Sequence, residues 1–156
     1  MDETRKFFYY QLRDDILSTR LPASPEQIEI LAGYAVSAKF GPFDRDNHGP
    51  GYLDGQRYLP RDMLDHGTVN EKSWEERVSH WHKIFSDKPH YECIEGYLEN
   101  AENLDRYGIS YYTVSSSDKI FYLGVNTNGL NLFHLNDRVN PMYRGEFPWS
   151  DIKVPV

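Results

Sequence analysis

The spacing of apolar residues changes at Gly108, and the change divides the chain into a longer block with a helical period and a shorter block with a strand period. Before the glycine, Tyr91, Ile94, Tyr97, Leu98, Ala101, Leu104 and Tyr107 recur at three and four, which predicts a helix whose apolar face runs up to the junction. After it, Ile109, Tyr111 and Thr113 alternate with Ser110 and Tyr112. Residues 120–125 are a continuous apolar run, and residues 130–135 follow an Asn128-Gly129 pair suited to a tight hairpin. The pattern therefore predicts an α+β chain: a helical bundle over residues 1–107 and an antiparallel meander over residues 108–156.

The helical block carries its own punctuation. Phe8, Tyr9, Leu12 and Ile16 predict a first helix that ends before Pro22. Ser24-Pro25-Glu26-Gln27 supplies a capping serine, a proline at the first helical position and a glutamine that closes a capping box. The helix it opens runs to Phe40, stops at Gly41, and is apolar on most sides, as a helix surrounded by others must be. Residues 42–67 read as a loop with one helical turn near residues 61–64. Asn70 is positioned to cap a helix carrying the stripe Trp74, Val78, Trp81 and Phe85. In the strand block, Phe147, Trp149, Ile152 and Val154 predict a last apolar strand running into the C-terminus. Four strands leave two open edges, so the sheet is expected to continue in sequence beyond Val156 or to lean on the bundle.

The net charge of -7 falls entirely on residues 1–108, the remainder being balanced. Such a surface repels phosphates and anionic lipid and favours basic partners, so no nucleic-acid partner is expected. No apolar run has the length of a bilayer span, Met1-Asp2-Glu3 is too polar for a secretion signal, and the single Cys93 reads as a small buried hydrophobe; the chain is expected to be cytoplasmic.

Chemistry-bearing patterns are few. His80 and His82 lie two apart on a helix, diverge, and cannot share a metal ion; Trp81 is expected to face inward and His80 to meet Glu76 at the surface. The segment from Asp44 to Gly49 begins like a calcium loop, but Gly55 stands where the bidentate glutamate is required. Gly49-Pro50-Gly51 with Gly55 has the wrong spacing for a phosphate cradle. Asp14-Asp15 and Glu75-Glu76 read as solvated carboxylates rather than an acid and base pair. No catalytic residue, cofactor site or metal site is expected, and no enzymatic activity.

Residues 31–41 (Leu-Ala-Gly-Tyr-Ala-Val-Ser-Ala-Lys-Phe-Gly) followed by Pro50-Gly51-Tyr52-Leu53 resemble the second lobe of the FERM domain of ezrin, radixin, moesin and merlin. Trp74-Glu75-Glu76-Arg77-Val78, Tyr107-Gly108-Ile109-Ser110-Tyr111-Tyr112, Leu123-Gly124-Val125, Gly129-Leu130-Asn131-Leu132 and Phe147-Pro148-Trp149-Ser150-Asp151-Ile152 continue the resemblance in the same order. The resemblance implies a bundle folded like acyl-CoA-binding protein, then the opening strands of a pleckstrin-homology-like third lobe. It further implies an adaptor at the inner face of the plasma membrane and cell cortex. Such an adaptor binds cytoplasmic tails of membrane proteins and its own autoinhibitory C-terminal tail, and connects indirectly to actin. Phosphoinositide attachment should be weak at most, because Ser115-Ser116-Ser117-Asp118-Lys119 replaces a lysine-rich turn and Met142 a second lysine. Each basic residue near an anionic membrane is worth about 1 kcal/mol. Lys119, Arg138 and Arg144 are the candidate anionic-lipid contacts, and Tyr107, Tyr111 and Trp149 the candidate packing residues between lobes, with the Trp149 indole buried. Two other roles fit the same lobes: the targeting portion of a FERM-containing tyrosine phosphatase or kinase, and a carrier of acyl-CoA-type ligands. An acidic bundle is a poor mouth for the anionic ligand of such a carrier.

Overall fold

The computed structural model describes residues 3–61, 63, 71–116, 119–134 and 143–153. Among these are four helices, α1 (Glu3–Leu17), α2 (Pro25–Phe40), α3 (Glu71–Ile84) and α4 (His90–Glu102). Four strands follow: β1 (Ser110–Ser116), β2 (Lys119–Val125), β3 (Gly129–His134) and β4 (Tyr143–Pro148). The chain divides into two compact units, Met1–Asp105 and Arg106–Val156.

In the helical unit, α2 packs against both α3 and α4. Its entry is built by the expected capping box: Ser24 Oγ accepts from the Gln27 amide at 3.3 Å, and Gln27 Oε1 accepts from the Ser24 amide at 2.8 Å. Its exit is Gly41, at φ 75°, a left-handed conformation that costs glycine little. Ile28, Leu31, Ala32, Ala35 and Val36 of α2 are buried among Leu12 and Ile16 of α1, Trp74 and Val78 of α3, and Ile94, Tyr97, Leu98 and Ala101 of α4. Tyr9 meets Tyr97 edge-on at 4.9 Å, which ties α1 to α4. Gly33 lies where α2 crosses α3; a Cβ there would stand 2.3 Å from Trp81 Cβ. The loop before α3 is held to α1 by a reciprocal pair, Arg13 donating to Arg57 O at 2.9 Å and Arg57 to Leu17 O at 3.0 Å.

Several expectations are corrected here. Phe8 is 49% exposed, as are its neighbours Phe7 and Tyr10 to similar degrees, because the first turns of α1 contribute only Tyr9 to the core. Trp81 does face inward, against Gly33 of α2, but is only half-buried, and His82 is the fully buried side chain of that triplet. The last helix stops at Glu102, so Tyr107 lies beyond it, and Tyr91 on its first turn is exposed. The capping role expected of Asn70 falls outside the described residues, as does most of the helical turn near residues 61–64.

The second unit is a meander in the order β1-β2-β3-β4, each neighbouring pair antiparallel. Gly108, at φ 74°, turns the chain into it. The β2–β3 turn is closed by Asn126, whose Oδ1 accepts from the amides of Asn128 at 2.8 Å and Gly129 at 3.0 Å. Phe133 and Asn131 of β3 are buried; Tyr111 is tilted against the Phe133 ring at 5.7 Å, and the Arg106 guanidinium lies 5.9 Å from the same ring. The expected last strand is also corrected. It ends at Pro148, residues 149–151 form a 3-10 turn, and Val154 lies outside the described residues. The proline fixes its own φ and lacks the N–H that a ladder needs.

Candidate functional site

Of the candidate lipid contacts, Lys119 and Arg144 lie on described strands. Lys119 opens β2, where it pairs with Ser116. Arg144 is the extra residue of a bulge in β4, since Phe133 pairs with Tyr143 and Leu132 with Gly145. β3 separates those two strands, and Arg138 lies outside the described residues. Of the expected packing residues, Tyr107, Tyr111 and Trp149 all belong to the second unit. Tyr111 is half-buried with its hydroxyl unpartnered among the described residues, Tyr107 is 42% exposed, and Trp149 is 47% exposed with its indole N–H donating to Asn126 O at 3.2 Å.

The helical unit offers two surfaces of contrasting character. Glu92, Glu95, Glu99 and Glu102 follow one another at three and four along α4, so they share a face. Arg5 of α1 reaches this row, forming an ion pair with Glu95 and feeling the charges of Glu102 and Glu99. Phe7, Phe8 and Tyr10 stand exposed on α1 close in sequence to that arginine. On the far side of the loop, Leu53, Asp54, Gly55, Gln56, Leu59, Trp74 and Glu75 line a cleft of about 120 Å³.

The most ordered polar cluster joins α3 to the loop that leaves α2. His82 is fully buried, and its Nε2 donates to Gly41 O at 2.8 Å, which places the ring proton on Nε2 because a carbonyl only accepts. Nδ1 is then an acceptor for the Tyr52 hydroxyl at 3.2 Å, and Tyr52 in turn accepts from Ser79 Oγ at 3.2 Å. His48 and Phe43 close around the ring, with centroids 5.0 Å and 5.3 Å from it. The loop is further pinned by the Gly51 amide donating to Glu75 Oε1 at 2.7 Å and the Phe43 amide donating to Ser86 Oγ at 2.9 Å. Burial holds His82 below the ordinary histidine value; the bond to Gly41 opposes this and the neighbouring His48 adds to it. Sequence reading missed this cluster. The available signal is spacing: His82 is four after Val78 and three before Phe85, on the same buried stripe.

The other motifs have local explanations. The carboxylate of Asp44 accepts from the Asp46 amide at 3.1 Å and from the Asn47 side chain, so it closes its own turn. Among the described residues, no group of three or more acidic, histidine or cysteine side chains is placed to hold a metal. Asp14 and Asp15 both pair with Arg20. Cys93 is buried, and burial pushes its thiol up, away from reactivity. Among the described residues, no helix is long and apolar enough to cross a membrane.

Comparison with known proteins places this geometry. A structure of the FERM and C-terminal domain complex of Drosophila Merlin superposes with a TM-score of 0.76 at 31% identity, covering 97% of this chain and 50% of that one. The MyTH4-FERM domain of human Myosin 7b, in complex with the harmonin-a PDZ3 domain, matches with a TM-score of 0.68 at 17% identity, over 91% of this chain and 29% of that one. The MF2 MyTH4-FERM domain of Dictyostelium discoideum Myosin VII matches with a TM-score of 0.71 at 13% identity, over 96% of this chain and 30% of that one. This chain thus spans half the length of the Merlin chain and less of the myosins, whose likeness establishes the fold alone. The helical unit is acyl-CoA-binding-protein-like and the meander that follows is a pleckstrin-homology-like antiparallel sheet. The family model for the FERM central domain matches residues 1–112, and with it the chain belongs to the FERM family.

Proposed function

We propose that the chain acts as a non-catalytic adaptor of the membrane-cytoskeleton linker type, docking other proteins rather than transforming a substrate. The observation that carries this reading is the likeness to Merlin, 31% identical over 97% of the chain. That structure pairs a FERM domain with a C-terminal domain. The partners that follow are cytoplasmic tails of membrane proteins and a C-terminal tail of the same family, at the inner face of the plasma membrane, with actin reached indirectly. The charge distribution supports basic partners: the acidic row of α4 carries four glutamates, and an acidic surface of this kind attracts basic segments and repels phosphates. Lys119 and Arg144 contribute a weak phosphoinositide contact at most.

The test is a pull-down of the intact chain with immobilised juxtamembrane peptides of membrane proteins, run beside co-sedimentation with vesicles containing phosphoinositide. Saturable capture by basic peptides, with little vesicle binding at physiological salt, is the expected result. Capture by none of the peptides would overturn the docking role. Strong vesicle binding would replace it with a lipid-binding one.

A further inference from the structure

We propose that residues 41–52 form a pH-gated latch, held closed against α3 while His82 is neutral and released when it takes up a proton. The hydrogen bonds of the His82 ring favour its neutral form. His82 Nε2 donates to Gly41 O, so Nδ1 must accept from Tyr52. His48 Nδ1 accepts from the Asp44 amide at 3.0 Å. One histidine therefore ties the start and end of the loop to α3 through Gly41 and Tyr52, and the other closes its middle. The two rings lie 5.0 Å apart, so a charge on one opposes a charge on the other.

The charged groups that face the cluster do not offset this. From α3, Lys83 places its ammonium 4.8 Å from the Phe43 ring, adding positive charge, and Glu75 is committed to the Gly51 amide. From the loop, the Asp44 carboxylate is turned into its own turn, and Tyr52 is neutral, its hydroxyl raised above the ordinary value chiefly by burial. From α2, the Lys39 ammonium reaches Gln56. From α4, His90 Nδ1 donates to Ala38 O at 2.7 Å. A second proton on His82 gains a partner only if Tyr52 reverses its hydroxyl, which then requires Ser79 to reverse as well. Protonation therefore favours the open loop. Closed His82 lies below its open-state value, so the closed form is fully favoured above about pH 6.5 and loses ground as pH falls. At one unit below that value, proton uptake by His82 shifts the equilibrium toward the open loop by at most about tenfold.

Amide hydrogen exchange on the intact chain at pH 7.5 and 5.5, corrected for intrinsic rates, tests the latch. Protection of residues 42–52 is expected to fall more than that of α2 on acidification, by up to about tenfold, and His82→Gln should remove most of that difference. An unchanged loop in the native chain, or the same fall in His82→Gln, would overturn it. NMR titration of the unaltered protein keeps the test decisive if the variant does not fold. The His82 ring transition should coincide with loss of protection in the loop, and titration of that ring without any change in the loop amides contradicts the latch.

Discussion

Gly33→Ala is expected to destabilise the helical unit although alanine is the better helix former. In an exposed helix interior the exchange would gain roughly 1 kcal/mol. Here the added Cβ would stand 2.3 Å from Trp81 Cβ, whereas carbon atoms in ordinary contact are about 3.5 to 4.0 Å apart. Trp81 Cβ is fixed to its backbone, so no rotamer change relieves the clash, and α2 must move from α3 by roughly 1 Å. Overpacking of this kind costs about 1 to 3 kcal/mol, at the upper end when backbone must shift. After the propensity gain, a net loss of about 2 kcal/mol remains, or roughly a 10 °C fall in Tm for a unit of this size. Circular dichroism at 222 nm during thermal and urea unfolding provides the measurement. Gly96→Ala is the informative comparison, because its Cβ would meet the Tyr34 ring, which can swing about its own torsions, so the loss should be smaller. A Gly33→Ala chain as stable as the native one would refute the close crossing of α2 and α3.

Ser24→Ala removes the acceptor for the Gln27 amide at the start of α2 and should cost about 1 kcal/mol, read as a lowered urea midpoint with unchanged m-value. Trp149→Ala should cost about 1 kcal/mol or less, since the indole is 47% exposed and contributes one hydrogen bond to Asn126; a loss near 4 kcal/mol would mean that this ring is buried. Tyr9 and Tyr58 are pushed up to about 12, principally by burial, while unfolded tyrosines ionise near 10. The folded chain therefore holds these protons longer than the unfolded one. Their contribution is present below about pH 10 and is lost as pH rises toward about 12, on the order of 2 to 3 kcal/mol for each residue. Urea unfolding between pH 9 and 11.5 should show that decline, and a midpoint indifferent to pH across this range would contradict the burial of those phenols.

The parts of the fold that could be read from sequence are those where one local rule acts alone. Ser24, Pro25 and Gln27 sit in the capping box their order implies, and the change of period at Gly108 accompanies a real change from helix to sheet. The Asn128-Gly129 pair marked the hairpin, but the side chain that closes it is Asn126, since an amide two residues upstream can accept from both following N–H groups. Period alone could not show that Phe8 lies off the core, because the first turns of α1 bury only Tyr9. It also favoured Trp81 over His82 on the simple ground that tryptophan is apolar. Two hydrogen-bond partners, Gly41 O and the Tyr52 hydroxyl, make the imidazole the better buried group, and no local pattern reveals the path of the loop that brings them there. Pro148 carried a stop signal that the apolar spacing of Phe147, Trp149 and Ile152 obscured.

The claim that this chain docks proteins meets its most direct test in titration calorimetry with the isolated C-terminal domain of Merlin. The account predicts saturable one-to-one binding at micromolar concentration or tighter, weakened by salt if the acidic row of α4 takes part. A folded chain that gives no binding signal at about 100 µM would contradict it.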